Sequence, residues 1–312
     1  MILVTGGTGF IGQALIRHLV DTGFQVRTLI RPSRRSPHLP TGVPVDVAVT
    51  GLHDTRGLRS AMVGVDTVYH LAGVERHGAE ADLLETDIRG TQAVVRAAVD
   101  AGVRRFFFLS HLGADRASAY PVLKTKAIAE AHIRRSGLDY TILRTATVFG
   151  PHDGFSTGLA QLLHGIPFVF LVPGDGTNLI QPLWVEDLVT CMTWALDDDD
   201  TCNKMYEIGG PEFLTLGQVV STVMHEIGVR RMIVPAAPPI MRALTVGLEY
   251  FLPSFPVSVY WLDYLSTNRT CSLDTIPRVF NLAPSRFSQR LAYLSGHHWR
   301  RELWRSVFMS RR

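Results

Sequence analysis

The stretch VTGGTGFIG near the start of the chain constrains the fold more than any other. It places four glycines directly after the apolar run ILV and at the start of an amphipathic stretch, IGQALIRHLVDTG. Glycines between a strand and a helix allow a tight turn and close approach to a pyrophosphate, and the helix N-terminus supplies N–H donors and a favourable dipole. The turn therefore predicts a dinucleotide site with contacts from Gly6, Gly7, Thr8, Gly9, Phe10, Ile11 and Gly12.

Short apolar runs alternate with amphipathic stretches through the first half of the chain. Runs such as FFFLS are apolar on both strand faces, as in a parallel sheet that helices cover on both sides. Gly23, Gly102 and Gly137 each follow a helical pattern, where a left-handed residue is favoured. These features predict an α/β fold with a doubly wound parallel sheet of the Rossmann type. We expect a dinucleotide-binding domain over residues 1–150 and a smaller substrate or docking region over 151–312, with parts of 179–210 returning to the main sheet.

The second apolar run, FQVRTLI, indicates which dinucleotide binds. A site that prefers NAD carries Asp or Glu at the end of the second strand, where it bonds the adenosine ribose. Here the strand runs into Arg31, and Arg34 and Arg35 follow, so positive charge lies where a ribose 2′-phosphate would be held. We predict NADP(H) in preference to NAD(H). The alternative is that these arginines are solvated and that NAD(H) binds through backbone contacts.

Composition argues against several other classes of protein. The 312 residues are 46% hydrophobic and 19% charged, as in ordinary globular proteins. Three widely spaced cysteines form neither a disulfide framework nor a metal-ligand pattern, so we expect a reducing cytoplasm and no metal. The net charge is +3, and residues 286–312 carry seven arginines and one acid. Because no nucleic-acid-binding signature accompanies that basic segment, nucleic acid is not an expected partner.

Further motifs follow the glycine turn in order: HLAG at 70–73, a strand that ends at Ser110, KAIAE, LRTATVFGP and QPLWVEDL. With these motifs, the chain from residue 1 to the region of residue 230 resembles the extended and atypical short-chain dehydrogenases, also called the NAD-dependent epimerase/dehydratase family. The patterns LSHLGAD and SGLDYTILR are most similar to the branch that contains the NADPH-binding accessory subunit of respiratory complex I and assembly factors of photosynthetic membranes.

The resemblance implies roles for matching positions. Gly6, Gly9 and Gly12 would line the pyrophosphate, Ala72 and Gly73 would lie beside the adenine-side ribose, Ser110 would polarise a substrate, and Thr145 and Val148 would lie near the nicotinamide. The chain departs from the family in two places. Thr50-Gly51-Leu52 stands where relatives read Gly-Asp-Leu and contact adenine, and the motif Asp87-Ile88-Arg89-Gly90-Thr91 begins with Asp where relatives commonly carry Asn.

Two registers are open for the catalytic helix. In a working enzyme of this type, a Tyr and a Lys four residues apart share one helical face, and the lysine lowers the pKa of the tyrosine for proton exchange. Tyr120 and Lys124 have that spacing, but Pro121 places the tyrosine at the N-cap, outside the helix. The second register, which we favour, uses Lys126 and Glu130 and puts a valine in place of the tyrosine. Lys126 would then hold the nicotinamide ribose, unless it only forms a surface ion pair with Glu130.

The carboxyl-terminal third is rich in large apolar residues and proline between residues 232 and 265. A helical stripe there predicts core packing, a wall for a hydrophobic substrate or an interfacial membrane contact, and consists of Ile240, Met241, Leu244, Leu248 and Phe251. The last segment, WRRELWRSVFMSRR, mixes large apolar residues with five arginines. This basic amphipathic tail suits an anionic membrane surface or an acidic protein partner. We expect a cytoplasmic protein that can lie on the inner face of a membrane.

Two classes of function follow from these features. In one, an NADP(H)-dependent reductase or epimerase/dehydratase acts on a hydrophobic carbonyl or sugar-nucleotide substrate, with Ser110, Tyr120 and either Lys124 or Lys126 in proton transfer. In the other, which we favour, the protein holds NADP(H) without turnover and is a structural or assembly component of a larger or membrane-associated complex. Both classes require the dinucleotide at the glycine turn.

Overall fold

A computed structural model describes residues 1–33, 38–74, 82–252 and 255–309, with side chains to residue 305. The strands are β1 Ile2–Thr5, β2 Val26–Ile30, β3 Asp46–Val49, β4 Thr67–His70, β5 Arg105–His111, β6 Asp139–Thr145, β7 Val148–Phe149, β8 Val169–Pro173, β9 Leu179–Ile180, β10 Leu183–Trp184, β11 Lys204–Ile208, β12 Leu214–Thr215 and β13 Met232–Ala236. The helices are α1 Phe10–Asp21, α2 Thr55–Ala61, α3 Thr91–Asp100, α4 Pro121–Ile133, α5 Ser156–Gly165, α6 Val185–Trp194, α7 Leu216–Glu226, α8 Pro238–Phe251, α9 Val259–Leu265, α10 Thr275–Phe280 and α11 Trp299–Met309.

Seven parallel strands form the main sheet, in the order β11-β6-β5-β4-β1-β2-β3. The predicted doubly wound parallel sheet is confirmed. The strand order reverses between β1 and β4, and such a switch point opens a crevice at the carboxyl ends of the strands. The last strand, β11, lies within the range 179–210 and pairs with β6 at one edge. The glycine turn after β1 therefore lies at the crevice.

Apolar side chains cover both faces of this sheet. One core cluster packs α1 and α6 against the sheet, and another packs α2, α3 and α4 against the opposite face. Successive side chains of β5 belong to opposite clusters. Phe107 lies in the first cluster, and Phe106 and Phe108 lie in the second. Arg105, at the start of β5, is buried and donates hydrogen bonds to Ala195 O and Thr201 Oγ1, both 2.7 Å away. These bonds tie the connection between α6 and β11 to the sheet.

The glycine positions in the helix connections agree with the sequence. Gly23, Gly102 and Gly137 have φ angles of 92°, 69° and 83°, in the left-handed region that favours glycine. Helix α4 begins at Pro121, and Tyr120 is its N-cap with φ −86° and ψ 117°. The prediction that the proline keeps this tyrosine outside the helix is therefore confirmed.

The structure narrows the alternatives for the carboxyl-terminal region in two respects. The stripe on α8 is not core, since Ile240, Leu244 and Phe251 are exposed and the residue that this helix buries most deeply is Thr245. The tail forms α11, and its Trp299 and Leu303 are buried in the protein. Part of the predicted apolar face therefore packs against the protein itself. Of the other apolar residues in this tail, Trp304 is exposed, and the side chains of Val307 and Phe308 lie outside the described residues. Within the described parts of the chain, no helix combines the length and the apolar content needed to cross a bilayer.

Candidate functional site

The turn between β1 and α1 is tight because its glycines leave no room for side chains. Gly6 has φ 75°, and a Cβ there would lie 2.7 Å from the carbonyl carbon and oxygen of Leu71. A Cβ on Gly12 would lie 2.2 Å from the carbonyl oxygen of Gly6. The N-cap of α1 is Gly9, so no side chain caps the helix start, and the first turn carries no acid. Such a helix start offers its N–H groups and its dipole to an anion.

A cleft of about 230 Å³ opens above this turn. It brings together nine of the residues predicted from the sequence: Gly6, Gly9, Phe10, Ile11, Gly12, Gly73, Lys126, Thr145 and Val148. The other end of the cleft is lined by the segment from Thr145 to Val148, at the carboxyl end of β6, and by His111 at the end of β5. The cleft therefore lies at the carboxyl edge of the sheet, over the switch point.

Lys126 is a buried cation in this cleft. Its side chain is 4% exposed, and its Nζ lies 3.2 Å from Oδ1 of Asp87, which is 1% exposed. The other oxygen, Oδ2, accepts a hydrogen bond from the backbone N–H of Val74 at 3.2 Å. Nζ also lies 5.5 Å from the centre of the Phe108 ring. Asp87 stands where relatives commonly carry Asn. Its carboxylate neutralises Lys126, the lysine that the second register assigns to the cofactor.

Asp87 is held in place by a hydrogen-bond network that reaches into the sheet. It lies on a π-helical turn, Leu84–Gly90, which leads into α3. The Thr91 hydroxyl donates to the carbonyl oxygen of Asp87 at 2.7 Å, and it lies 2.9 Å from Nε2 of His70. Because that hydroxyl proton is already used, Nε2 must donate to Thr91, and Nδ1 accepts from Thr5 Oγ1 at 2.7 Å. Burial, assisted by the charge of Lys126, lowers the pKa of His70 to about 3, so its ring is neutral.

The remaining predicted catalytic residues do not line the cleft. The phenol of Tyr120 lies 2.8 Å from Ser266 Oγ. Since Ser266 Oγ donates to Asp263 O, the phenol donates its own proton to Ser266. Lys124 is exposed on α4. Ser110 is buried, and its hydroxyl has no hydrogen-bond partner among the described residues.

Glu130 is not the partner of Lys126. It accepts two hydrogen bonds from Arg144, from Nε at 2.9 Å and from Nη2 at 2.6 Å. Hydrogen bonding to Glu130 raises the pKa of Arg144. The alternative interpretation of Lys126, as half of a surface pair with Glu130, is therefore wrong.

Four predicted cofactor residues lie around the cleft without lining it. Gly7 is buried, and a Cβ there would lie 2.1 Å from Thr28 Oγ1, so this glycine serves the packing of strand and helix. Thr8 and Arg31 are exposed, and the backbone N–H of Ala72 donates to Thr5 Oγ1. Arg34 and Arg35, which support the choice of NADP(H), lie outside the described residues.

An aromatic wall closes the cleft and was not anticipated from the sequence. Tyr260, Trp261 and Tyr264 all come from α9 and line the same cavity as Lys126. The ring of His111 lies 6.1 Å from that of Tyr260 and 5.8 Å from that of Tyr264. The spacing of these aromatics, at i, i+1 and i+4 on a short helix, is visible in the sequence. Their meeting with β5 depends on tertiary packing.

The site suits a dinucleotide and shows no sign of a metal centre in the parts of the chain described. An added Cβ at Gly6 or Gly12 would collide with backbone atoms of the turn, so only glycine allows the tight turn that brings the helix start to a pyrophosphate. The buried hydroxyl of Ser110 is an unsatisfied polar group near the carboxyl end of β5. Among the described residues, no group of three or more His, Cys, Asp or Glu side chains is arranged to hold a metal ion.

Comparison with known proteins agrees with this geometry. Residues 6–163, slightly more than half of the chain, match the model of a family described as NAD(P)H-binding. The chain belongs to this NAD(P)H-binding family. The predicted likeness to the extended short-chain dehydrogenases of the epimerase/dehydratase type is confirmed.

Proteins with related sequences include one that is named as a subunit of a complex and one that is named as an assembly factor. Subunit 9 of the mitochondrial NADH dehydrogenase (ubiquinone) 1 alpha subcomplex of Arabidopsis thaliana is 27% identical over 281 residues, which cover 86% of this chain and 70% of that protein. The photosystem II assembly factor Ycf39 of Synechocystis is 23% identical, over 96% of this chain and 91% of its own length. The solved structure of MoeE5 in complex with UDP-glucose and NAD superposes with a TM-score of 0.72 at 22% identity, over 96% of this chain and 98% of MoeE5. That likeness establishes the fold.

Proposed function

We propose that this protein holds NADP(H) without turning it over and acts as a structural or assembly component of a larger complex. The observation that supports this proposal is the state of the two residues that catalysis would need. Lys126 is neutralised by Asp87 inside the cleft, and the phenol of Tyr120 donates to Ser266 outside it. A lysine paired in this way does not activate a distant phenol, and a phenol that gives its proton to a serine does not exchange it with a substrate.

The relatives support the second half of the proposal. Both the Arabidopsis protein and the Synechocystis protein carry names that assign them to a multisubunit complex or to its assembly. We infer that this chain likewise works with protein partners, with the bound dinucleotide stabilising the fold that those partners recognise. A ligand that binds only the folded state stabilises it in proportion to the logarithm of its concentration over its Kd.

The experiment that tests the proposal separates binding from turnover. Calorimetry with NADPH should give a saturable signal with one site per chain. The same protein, incubated with NADPH and a panel of aldehydes, ketones and nucleotide sugars, should leave the nicotinamide absorbance unchanged. Oxidation of NADPH that depends on one of these compounds would overturn the proposal, and so would the absence of nucleotide binding.

The choice of NADP(H) is supported by Arg31. This arginine follows the end of β2 directly, is exposed, and has no carboxylate within ion-pair distance among the described residues. Arg31→Ala should weaken NADPH about fivefold, since a hydrogen bond to a charged group at an exposed site is worth about 1 kcal/mol, and should leave NADH unchanged. Arg17→Ala, an exposed arginine on α1, is the matched control. Equal losses for both nucleotides would contradict the choice.

A second candidate, an active NADP(H)-dependent reductase or epimerase, is favoured by one observation. Tyr264 lines the same cleft as Lys126, and its phenol is buried there. Burial raises the pKa of Tyr264 to about 12, so the phenol keeps its proton at neutral pH and can polarise a hydrophobic carbonyl by donating a hydrogen bond to it. If turnover is found, Tyr264→Phe should abolish it and Tyr120→Phe should not. The reverse result would return catalysis to Ser110, Tyr120 and a lysine.

A further inference from the structure

The loop after α5 presents an aromatic ring to solvent at a strained backbone position. Phe168 is 82% exposed, and its φ is 65°. A bulky side chain in the left-handed region lowers the free energy of unfolding. The loss is on the order of one-tenth to one-fifth of the total for a small domain. Strain of this kind is retained where surrounding structure imposes it, and it concentrates at functional positions. An exposed ring held in this way needs a reason other than core packing.

Two neighbouring segments enlarge the exposed surface around this ring. The backbone N–H of Met232 donates to the carbonyl oxygen of Phe168 at 2.9 Å, and Met232 is itself exposed. Nε of Arg231 donates to the carbonyl oxygen of Ile166 at 2.8 Å. The start of β13 and the loop after α5 therefore form one surface, which carries the exposed Phe168 and Met232 together with Arg230 and Arg231.

Helix α11 supplies the other side of this surface. Leu303 packs onto Gly165, the last residue of α5, where an added Cβ would lie 2.4 Å from Leu303 Cδ2. His164 lines a shared cavity of about 530 Å³ with Arg300, Arg301 and Trp304. The exposed Trp304 thus lies at the same end of α5 as Phe168.

The charges on this surface are unbalanced within the described protein. Four arginines belong to the segments that form this surface, and none has a carboxylate within ion-pair distance among the described residues: Arg230, Arg231, Arg300 and Arg301. Glu302, which follows two of them on α11, is paired with His297 at 3.2 Å. The surface therefore lacks the anionic partner that its charges suit.

We propose that this surface docks on a lipid bilayer with anionic headgroups. We call it the α5-end surface and define it as Ile166, Phe168, Arg230, Arg231, Met232, Arg300, Arg301 and Trp304. Aromatic and aliphatic side chains enter the interface between headgroups and acyl chains, while arginines beside them bind lipid phosphates. An anionic bilayer satisfies both halves of the surface at once. The inference does not rest on nucleotide binding.

Sedimentation with vesicles tests this docking. The full chain should pellet with vesicles of phosphatidylcholine mixed with phosphatidylglycerol, and should stay in solution with pure phosphatidylcholine. Arg300→Gln with Arg301→Gln should lower the partition coefficient about 25-fold, at about a factor of five for each arginine near an anionic surface. Phe168→Gly should lower it as well, and should also relieve the backbone strain, so lost binding cannot be ascribed to unfolding.

Matched controls keep the result specific. Arg17→Gln with Arg96→Gln removes the same charge from exposed positions on α1 and α3 and should leave binding unchanged. Every variant should bind NADPH like the wild type, so failure of docking and failure of the proposed function are distinguishable. The proposal would be overturned if the control pair lost as much binding as the arginine pair, or if the protein did not bind anionic vesicles. It would also be overturned if the protein bound heparin as tightly as vesicles and Phe168→Gly left the heparin binding unchanged.

Discussion

A single carboxylate changes what the cleft can do. Asp87 occupies the first position of a motif in which relatives commonly carry Asn, and it lies 3.2 Å from the Lys126 ammonium with both groups buried. A buried ion pair is costly to desolvate and costly to break from one side. The pair therefore fixes the lysine and its charge within the protein. An Asn in the same place would leave the charge free to act on a bound nucleotide.

A double-mutant cycle measures this pair. Asp87→Asn and Lys126→Met should each lower the free energy of unfolding by about 3 kcal/mol, because each leaves one buried charge unpaired. Asn at position 87 keeps an oxygen that can accept the hydrogen bond from the Val74 N–H. The loss of stability in Asp87→Asn therefore measures the effect of the missing negative charge. The double variant should lose less than the sum by about 2 kcal/mol or more. Denaturant unfolding gives all four values. Additive losses would show that the two side chains do not interact.

His70 should make stability depend on pH. Burial and the charge of Lys126 lower its pKa to about 3 in the folded protein, against 6.5 when the chain is unfolded. The unfolded chain therefore binds a proton first as the pH falls, and the stabilisation that is complete above the unfolded pKa is lost between these two values. Relative to His70→Gln, the wild type should lose about 2 kcal/mol from about pH 7.5 to about pH 5. A flat difference between the two proteins would contradict a neutral buried ring.

At the level of elements, the β1–α1 turn could be predicted almost completely. The spacing of four glycines between an apolar run and an amphipathic run leaves few other structures. The N-cap position of Tyr120 was equally predictable, because Pro121 restricts the residue before it. The aromatic wall from α9 was not predictable. Its residues are distant in sequence from the cleft, and no local preference determines which element they contact.

The turn provides a test at this scale. Gly12→Ala should lower the free energy of unfolding by about 2 kcal/mol and abolish nucleotide binding, because the new methyl group would meet the Gly6 carbonyl oxygen. Helix propensity alone predicts the opposite sign. Gly247→Ala is the matched control, since Gly247 lies within α8 and nothing lies within 4 Å of an added Cβ. That control should gain about 0.5 to 1 kcal/mol. A gain at both positions would mean that the turn is looser than described.

Over the whole molecule, the sheet was predictable and the second region was not. Parallel βα units repeat a short apolar pattern, and the connection rules leave few orders for the strands. After residue 150 the strands are two to five residues long and, apart from β11, they form small paired sheets, so periodicity carries little information there. The amphipathic tail shows the consequence. An amphipathic pattern is the same for a helix that binds a membrane and for a helix that packs on its own protein. In α11, Trp299 and Leu303 pack on the protein.

Adjacent residues of α11 test how the tail is used. Leu303 is 2% exposed and packs onto Gly165, so Leu303→Ala should open a cavity and lower the free energy of unfolding by about 3 kcal/mol. Trp304 is 45% exposed, so Trp304→Ser should cost less than about 1 kcal/mol and weaken vesicle binding instead. Denaturant unfolding and vesicle sedimentation on both variants separate the two roles. If neither variant lost stability, α11 would not be docked on α5, and the α5-end surface would lose the arginines that this helix brings to it.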